Sequence, residues 1–255
     1  MLTDSHCHLF YDQILKDIDN VFYRSKKLGV NRFICVGTNI NDSLLSLDIA
    51  KKFENVYCSA GVHPHDAQNV EKNYLQEIES MMRSEKMIAI GEIGLDYFRN
   101  ISPKEYQIKV FHELLQLADN INKPIIFHNR DADKDIIDIL SSYPNVIGVS
   151  HCFSSTLSTA KKLLDMGYYI SFSGNLTFKN SSLPNVAKYL PLNRLLVETD
   201  SPYLSPEPFR GKSNEPGRTR YVAEKLAEIH NISFESIAVS YKHLKLPTKR
   251  EVKIS

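Results

Sequence analysis

Short apolar runs of about five residues alternate with longer amphipathic runs along nearly the whole chain. This alternation is the feature that most limits what the chain can fold into. Strands joined through helices run parallel, and a parallel sheet needs helices to cover its faces. Eight strands are predicted, at about Leu2–His6, Arg32–Val36, Tyr57–Gly61, Ile88–Glu92, Ile125–His128, Gly148–His151, Tyr169–Ser171 and Leu195–Glu198. Eight is the number that closes a sheet on itself. The expected fold is therefore α/β, a single (β/α)8 TIM barrel with its active site at the C-terminal ends of the strands. An open doubly wound sheet is the competing architecture. It fits less well, because no glycine-rich phosphate loop follows the first strand.

The intervening runs have helical periodicity. Ile14, Ile18, Val21 and Phe22 share one face, with Gly29 placed to end that helix. Ser102-Pro103-Lys104-Glu105 has the spacing of a capping box and opens a helix striped with Val110, Phe111, Leu114, Leu117 and Ala118. Leu157, Ala160, Leu163 and Leu164 mark another. With 255 residues, 42% of them apolar, the chain suits one barrel domain over residues 1–238, and the Pro202–Pro216 stretch reads as a long ordered loop.

A formal net charge of +1 supplies no global grip on a polyanion, so local cations or bound metal would have to meet any phosphate. The chain shows no apolar run of membrane-spanning length and no leader pattern, and a cytoplasmic monomer is expected. Cys7, Cys35, Cys58 and Cys152 fall in strand-like segments and read as reduced, buried thiols.

The chemistry is concentrated where strands end. His6 and His8 close the first predicted strand, Glu92 the fourth, His128 the fifth and His151 the sixth, while Asp200 follows the eighth. In a barrel these ends converge on one face. Side-chain alternation agrees: Asp4, His6 and His8 share a parity, as do Ile90 and Glu92, Ile126 and His128, Val149 and His151, and Glu198 and Asp200. A single such histidine is ordinarily a hydrogen-bonded core residue. Six ligand-type residues on separate strand ends resist that explanation, because burying them unpaired is costly. They are too many for one tetrahedral ion and suit two cations sharing a carboxylate. Mixed imidazole and carboxylate donors favour zinc or manganese over calcium. His63 ends the third strand and is expected to touch substrate or support a ligand. His112 and His230 lie on predicted helices and are expected to face solvent, whereas His65 and His243 carry no supporting pattern.

The segments Asp4-Ser5-His6-Cys7-His8, Gly91-Glu92-Ile93-Gly94-Leu95-Asp96, Phe127-His128-Asn129-Arg130, Ser150-His151-Cys152-Phe153-Ser154, Glu198-Thr199-Asp200-Ser201-Pro202-Tyr203-Leu204 and Arg210-Gly211-Lys212-Ser213-Asn214-Glu215-Pro216 resemble, in order, the motifs of the TatD deoxyribonucleases of the amidohydrolase superfamily. The resemblance covers about Leu2 to Ala238. It implies a metal-dependent nuclease that shortens DNA from the 3′ end, with single-stranded ends as its substrate. By that resemblance His6 and His8 hold one divalent cation, Glu92 bridges two, and His128 and His151 hold the second. Asp200 binds metal and acts as general base, and the ions are zinc, manganese or magnesium. Arg130 and Arg210 are expected to grip phosphate oxygens. Alternatively, Arg130 pairs with Glu92 or Glu198, and Arg210 orders its own loop. Asp96 and Tyr97 are expected to line the cleft or cap their loop.

The sequence pattern of the family's closing helix, with its asparagine and aromatic residue, is absent after Ala238. Residues 239–255 instead form an atypical basic tail, in which Lys242, Lys245, Lys249, Arg250 and Lys253 face a single acid, Glu251. This tail is expected to be poorly packed and dispensable for catalysis. Two other functions share the same residues: hydrolysis of an amide, lactone or phosphotriester, and metal or nucleic-acid binding without turnover. The intact ligand set argues against the second. So does the lack, in the linear sequence, of an aromatic-rich basic stripe for stacking.

Overall fold

A computed structural model describes residues 1–237. Eight strands form one parallel sheet in strict sequence order: β1 (Leu2–Cys7), β2 (Val30–Val36), β3 (Val56–Ala60), β4 (Met87–Asp96), β5 (Ile125–Arg130), β6 (Gly148–Ser150), β7 (Tyr169–Phe172) and β8 (Leu195–Val197). The last strand returns to the first. Cys7 bridges Ser201, the Asp200 amide donates to the His6 carbonyl at 2.9 Å, and the His8 amide donates to the Ser201 carbonyl at 2.9 Å. The predicted barrel and its strand order are what the chain forms.

The covering helices are α1 (Asp12–Leu15), α2 (Ile18–Lys27), α3 (Ile40–Lys52), α4 (Tyr74–Met81), α5 (Lys104–Asn120), α6 (Asp133–Ser141), α7 (Leu157–Asp165), α8 (Leu183–Ala187) and α9 (Thr219–His230). Two local expectations are corrected. The first helical run is broken into α1 and α2, because Asp17 leaves helical geometry at φ −128°, ψ 26°. Gly29 does follow the end of α2, with φ +79°, where a side chain would be strained. The Ser102 capping box does not form either. Pro103 precedes α5 without a side-chain cap, and the Ser102 hydroxyl instead donates to His65 O at 2.7 Å and accepts from Gln68 N at 3.1 Å. Ser102 thereby ties the loop after β3 to the start of α5.

The core lies where helix stripes meet the strands. Val110, Phe111, Leu114, Leu117 and Ala118 of α5 are all buried, and Phe127 of β5 meets Tyr168 edge to face at 5.5 Å. Each such side chain contributes roughly 1.5–3 kcal/mol on burial. The four cysteines are free thiols, three buried and Cys152 half-buried.

The long loop after β8 is pinned from within. Fully buried Asn214 donates from Nδ2 to Thr199 O at 3.0 Å and to Tyr203 O at 2.7 Å. Arg218 reaches Ser205 Oγ at 2.8 Å and Ser213 O. His112 and His230 are half-buried rather than solvent-facing, and His112 Nδ1 sits 3.0 Å from the Tyr143 hydroxyl. Among the described residues no helix is long and apolar enough to cross a membrane. The basic tail 239–255, His243 and the expected domain boundary at 238 lie outside the described residues.

Candidate metal centre

His6, His8, Glu92, His128, His151 and Asp200 come together at the C-terminal mouth of the barrel, with His63 beside them. The spacing of His6 and His8 turns both rings the same way, and their Nε2 atoms lie 3.3 Å apart. Asp200 follows β8 with φ +56°, a left-handed conformation that Asp tolerates better than most residues. Its amide bond to His6 O fixes it against β1. Glu92 lies within β4 rather than at its end. The strand runs on to Asp96, and Gly94 makes the close pairing with β5 possible, since a Cβ there would fall 2.1 Å from His128 O. Asp96 consequently pairs with Arg130, and both acids of β4 lie against His128.

The two oxygens of Glu92 look in different directions. Oε2 lies 3.4 Å from His6 Nε2, and Asp200 Oδ1 completes that side at 3.3 Å from His8 Nε2 and 3.7 Å from His6 Nε2. Oε1 lies 2.8 Å from His151 Nε2 and 3.4 Å from both His128 Nδ1 and His63 Nε2, while His128 Nδ1 and His151 Nε2 are 3.3 Å apart. The rings of His6 and His151 stack at 3.9 Å and join the two sides.

Three histidines have their orientation set from behind. His8 Nδ1 lies 2.8 Å from Val36 O, His151 Nδ1 lies 3.3 Å from Glu198 Oε1, and His128 Nε2 lies 3.3 Å from Asp96 Oδ2. Each acceptor favours a proton on the rear nitrogen and leaves the other nitrogen facing the cluster, where its lone pair is available once the ring is neutral. Glu198 is held in turn by the Cys152 amide at 2.6 Å and the Ser171 hydroxyl at 2.5 Å. Asp96 accepts from the Arg99 amide at 2.8 Å and meets His65 Nε2 at 2.9 Å.

The electrostatics follow from this crowding. Burial alone would raise the Glu92 carboxyl, yet the charges of His151 and His63 and hydrogen bonds from His128 and His151 hold it well below the ordinary range. Burial opposes a charge on His151, but Glu92 and Glu198 outweigh it and hold that imidazole well above the usual histidine value. His128 is raised against burial by Asp96 and Glu92, and His8 is raised against burial by Asp200. Burial lowers His6 and His63. Burial works against the Asp200 carboxylate, and His8 and His6 bring its pKa down.

This donor set fits divalent cations. Tetrahedral ligands on bonds of about 2.1 Å stand roughly 3.4 Å apart, close to the separations on both sides of Glu92. Among the described residues, three overlapping groups have donor atoms within 4.8 Å of one another: His6–His151–Asp200, His6–His8–Glu92 and His63–Glu92–His128. Glu92 belongs to two of them. Asp4 is not a donor, because its oxygens take the Thr199 amide at 2.8 Å and hydroxyl at 2.5 Å.

Arg130 and Arg210 stand outside the cluster. Arg130 pairs with neither Glu92 nor Glu198; its guanidinium lies 3.9 Å over the Phe98 ring, and that of Arg210 lies 3.8 Å over Phe178. Asp96 neither lines an open cleft nor merely caps its loop, since it is buried and supports His128. Tyr97 is half-buried against the core and donates to Asp135 at 2.6 Å. The positions of Glu198 and His65 were missed by sequence reasoning. Glu198 shares parity with Asp200, which was a usable signal; His65, in the loop after β3, had none, because its partner Asp96 lies far along the chain on β4.

Comparison with known proteins agrees with this geometry. A family model described as TatD related DNase matches residues 3–243. The chain is 41% identical over 241 residues to an uncharacterized metal-dependent hydrolase, YabD, of Bacillus subtilis (strain 168), covering 93% of this chain and 94% of that protein. It is 34% identical over 235 residues to the 3′-5′ ssDNA/RNA exonuclease TatD of Edwardsiella piscicida, covering 89% of this chain and 90% of that protein. The crystal structure of YjjV, a TatD homolog from Escherichia coli K12, superposes with a TM-score of 0.90 at 28% identity, covering 94% of this chain and 95% of that one.

Proposed function

The chain belongs to the TatD family of metal-dependent hydrolases, and from that premise we propose that it is a deoxyribonuclease that removes nucleotides from the 3′ end of single-stranded DNA. One observation carries the reading: Glu92 offers one oxygen to His6 and the other to His63, His128 and His151. That is the arrangement expected of a carboxylate shared by two cations. His6, His8 and Asp200 would hold one ion and His128 and His151 the other, with zinc, manganese or magnesium compatible with the mixed donors. Two such ions supply an acidified water and offset the charge that builds on the phosphate oxygens.

The protein's own groups do the rest. Asp200 stands at the rim and is held in its ionised form by His8 and His6, and it accepts the proton of the attacking water as general base. His63 stands at the edge of the cluster, placed to donate to a phosphate oxygen. Arg130 and Arg210 each lie over a ring, which leaves N–H groups free to meet phosphate oxygens of a bound strand.

Elemental analysis and hydrolysis of end-labelled single-stranded DNA, with and without chelator, test this reading. Stepwise shortening from the 3′ end, abolished by chelator, is expected. Full activity in chelator with no metal present would sink the metal assignment. Circular single strands cut as fast as linear ones would remove the end requirement, and rapid lactone hydrolysis with none on DNA would replace the substrate.

A further inference from the structure

We propose that Tyr203 and the Phe98–Arg130 pair are base-stacking platforms at the barrel mouth, so that unpaired nucleobases are part of what the site recognises. The proposal rests on the nuclease reading and adds to it a basis for choosing single strands. Phe98 and Tyr203 are 59% and 52% exposed, and what sets them apart from the equally open Tyr23 and Tyr189 is that both lie in loops that leave the metal centre. Phe98 follows the end of β4 just beyond Asp96, and Tyr203 follows β8 just beyond Asp200.

Neither ring is exposed by default. The Tyr203 amide donates to Asp200 O at 2.9 Å, and its carbonyl accepts from Asn214, a fully buried amide that also holds Thr199 O. The backbone that presents the ring is thus tied to the backbone that presents Asp200. Tyr203 meets Tyr11 edge to face at 5.8 Å and stands 6.5 Å from the His8 ring, so the platform begins one ring away from a cluster donor. On the other strand pair, the Tyr97 amide donates to Arg130 O at 2.9 Å, and the Arg130 guanidinium covers Phe98 at 3.9 Å. A guanidinium on a ring is itself a flat cationic surface on which a base stacks, with N–H groups left for phosphate.

The linear sequence shows no aromatic-rich basic stripe because its parts come from different loops. The fold assembles them around one mouth. Stacking tolerates any base, since every base has a π-face, but that face must be unpaired and free of its neighbours. A duplex keeps its faces covered, and a single strand does not.

The test uses a single-stranded oligonucleotide with 2-aminopurine at its 3′ end and phosphorothioates in its last linkages, titrated with the metal-loaded protein. Binding is expected to quench the terminal fluorophore. Tyr203→Ala is expected to abolish most of the quench and weaken Kd about tenfold, and Tyr203→Phe to restore both. Phe98→Ala should act likewise on a fluorophore placed at an interior position of the strand.

A second readout compares kcat/KM for a cleavable strand with that for the same strand ending in abasic tetrahydrofuran residues. The wild-type protein should prefer the base-bearing strand, and Tyr203→Ala should reduce that preference toward unity. Unchanged quench, Kd and base preference in both alanine variants would overturn the platforms while leaving the nuclease reading intact. Equal affinity of the wild type for the matching blunt duplex would overturn them as well. A wild-type protein that hydrolyses no strand fails on the nuclease reading itself.

Discussion

The two sides of Glu92 are built differently. On one side His6 lies in β1 and His8 directly follows it, and His8 is oriented by a backbone carbonyl, Val36 O. Asp200 closes that side through backbone pairing of β1 with the chain after β8. On the other side His128 and His151 come from separate strands, and each is oriented by a buried carboxylate, Asp96 or Glu198. His8 and Asp200 therefore rest on main chain, which no side-chain substitution removes, while His6 Nδ1 is buried with no hydrogen-bond partner among the described residues. The second side rests on side chains that single substitutions can neutralise, so cation affinity on that side can be tuned without touching a ligand.

The largest effect should come from Glu92→Ala, which removes the group common to both sides. Metal content is expected to fall on both, with activity below detection; a variant that kept one full equivalent of metal would show that one side stands without the bridge. Asp200→Asn comes next. It should retain the fold and most of the metal while kcat falls roughly a thousandfold, the scale of a lost general base. Near-normal kcat would remove Asp200 from that role.

Glu198→Gln and Asp96→Asn separate the sides. Each is expected to weaken one cation by about 10–100-fold and to leave the other nearly unchanged, as loss of a group that orients a ligand does. Metal titration by calorimetry distinguishes this from equal weakening of both, which would erase the contrast.

Protons sharpen it further. His128 and His151 are both raised above the ordinary histidine value, so in the metal-free protein both hold protons nearer neutral pH, whereas on the other side only His8 is raised and His6 is lowered. A cation must displace those protons. Affinity should fall as pH is lowered from about 8 to about 6, more steeply on the His128–His151 side; parallel pH slopes would contradict this. The smallest effect is expected from truncation after Ala238, with kcat within about twofold and a modest drop in Tm, because no proposed ligand lies beyond that point. A large loss of kcat would make the basic tail part of the working protein.

Much of this molecule was legible from local pattern. Strand and helix order follows from hydrophobic period, and the pairing of His6 with His8 follows from alternation along one strand, both set by covalent spacing within a few residues. The barrel itself followed from counting strands, because eight parallel strands with covering helices have few ways to bury their edges. Short-range signals failed where a residue's partner lay elsewhere in the chain. Ser102 had the spacing of a cap but turned to His65 O, and Arg130 had acids to choose from but settled on Phe98. What only the tertiary structure decided is which atoms face each other: the two directions of Glu92, the rear partners Asp96 and Glu198, the place of His65, and the stacked arginines at the mouth. These depend on strand register, on the close approach that Gly94 permits, and on rings brought together from distant loops. No local spacing encodes them, because the energy that selects them exists only once the barrel has closed.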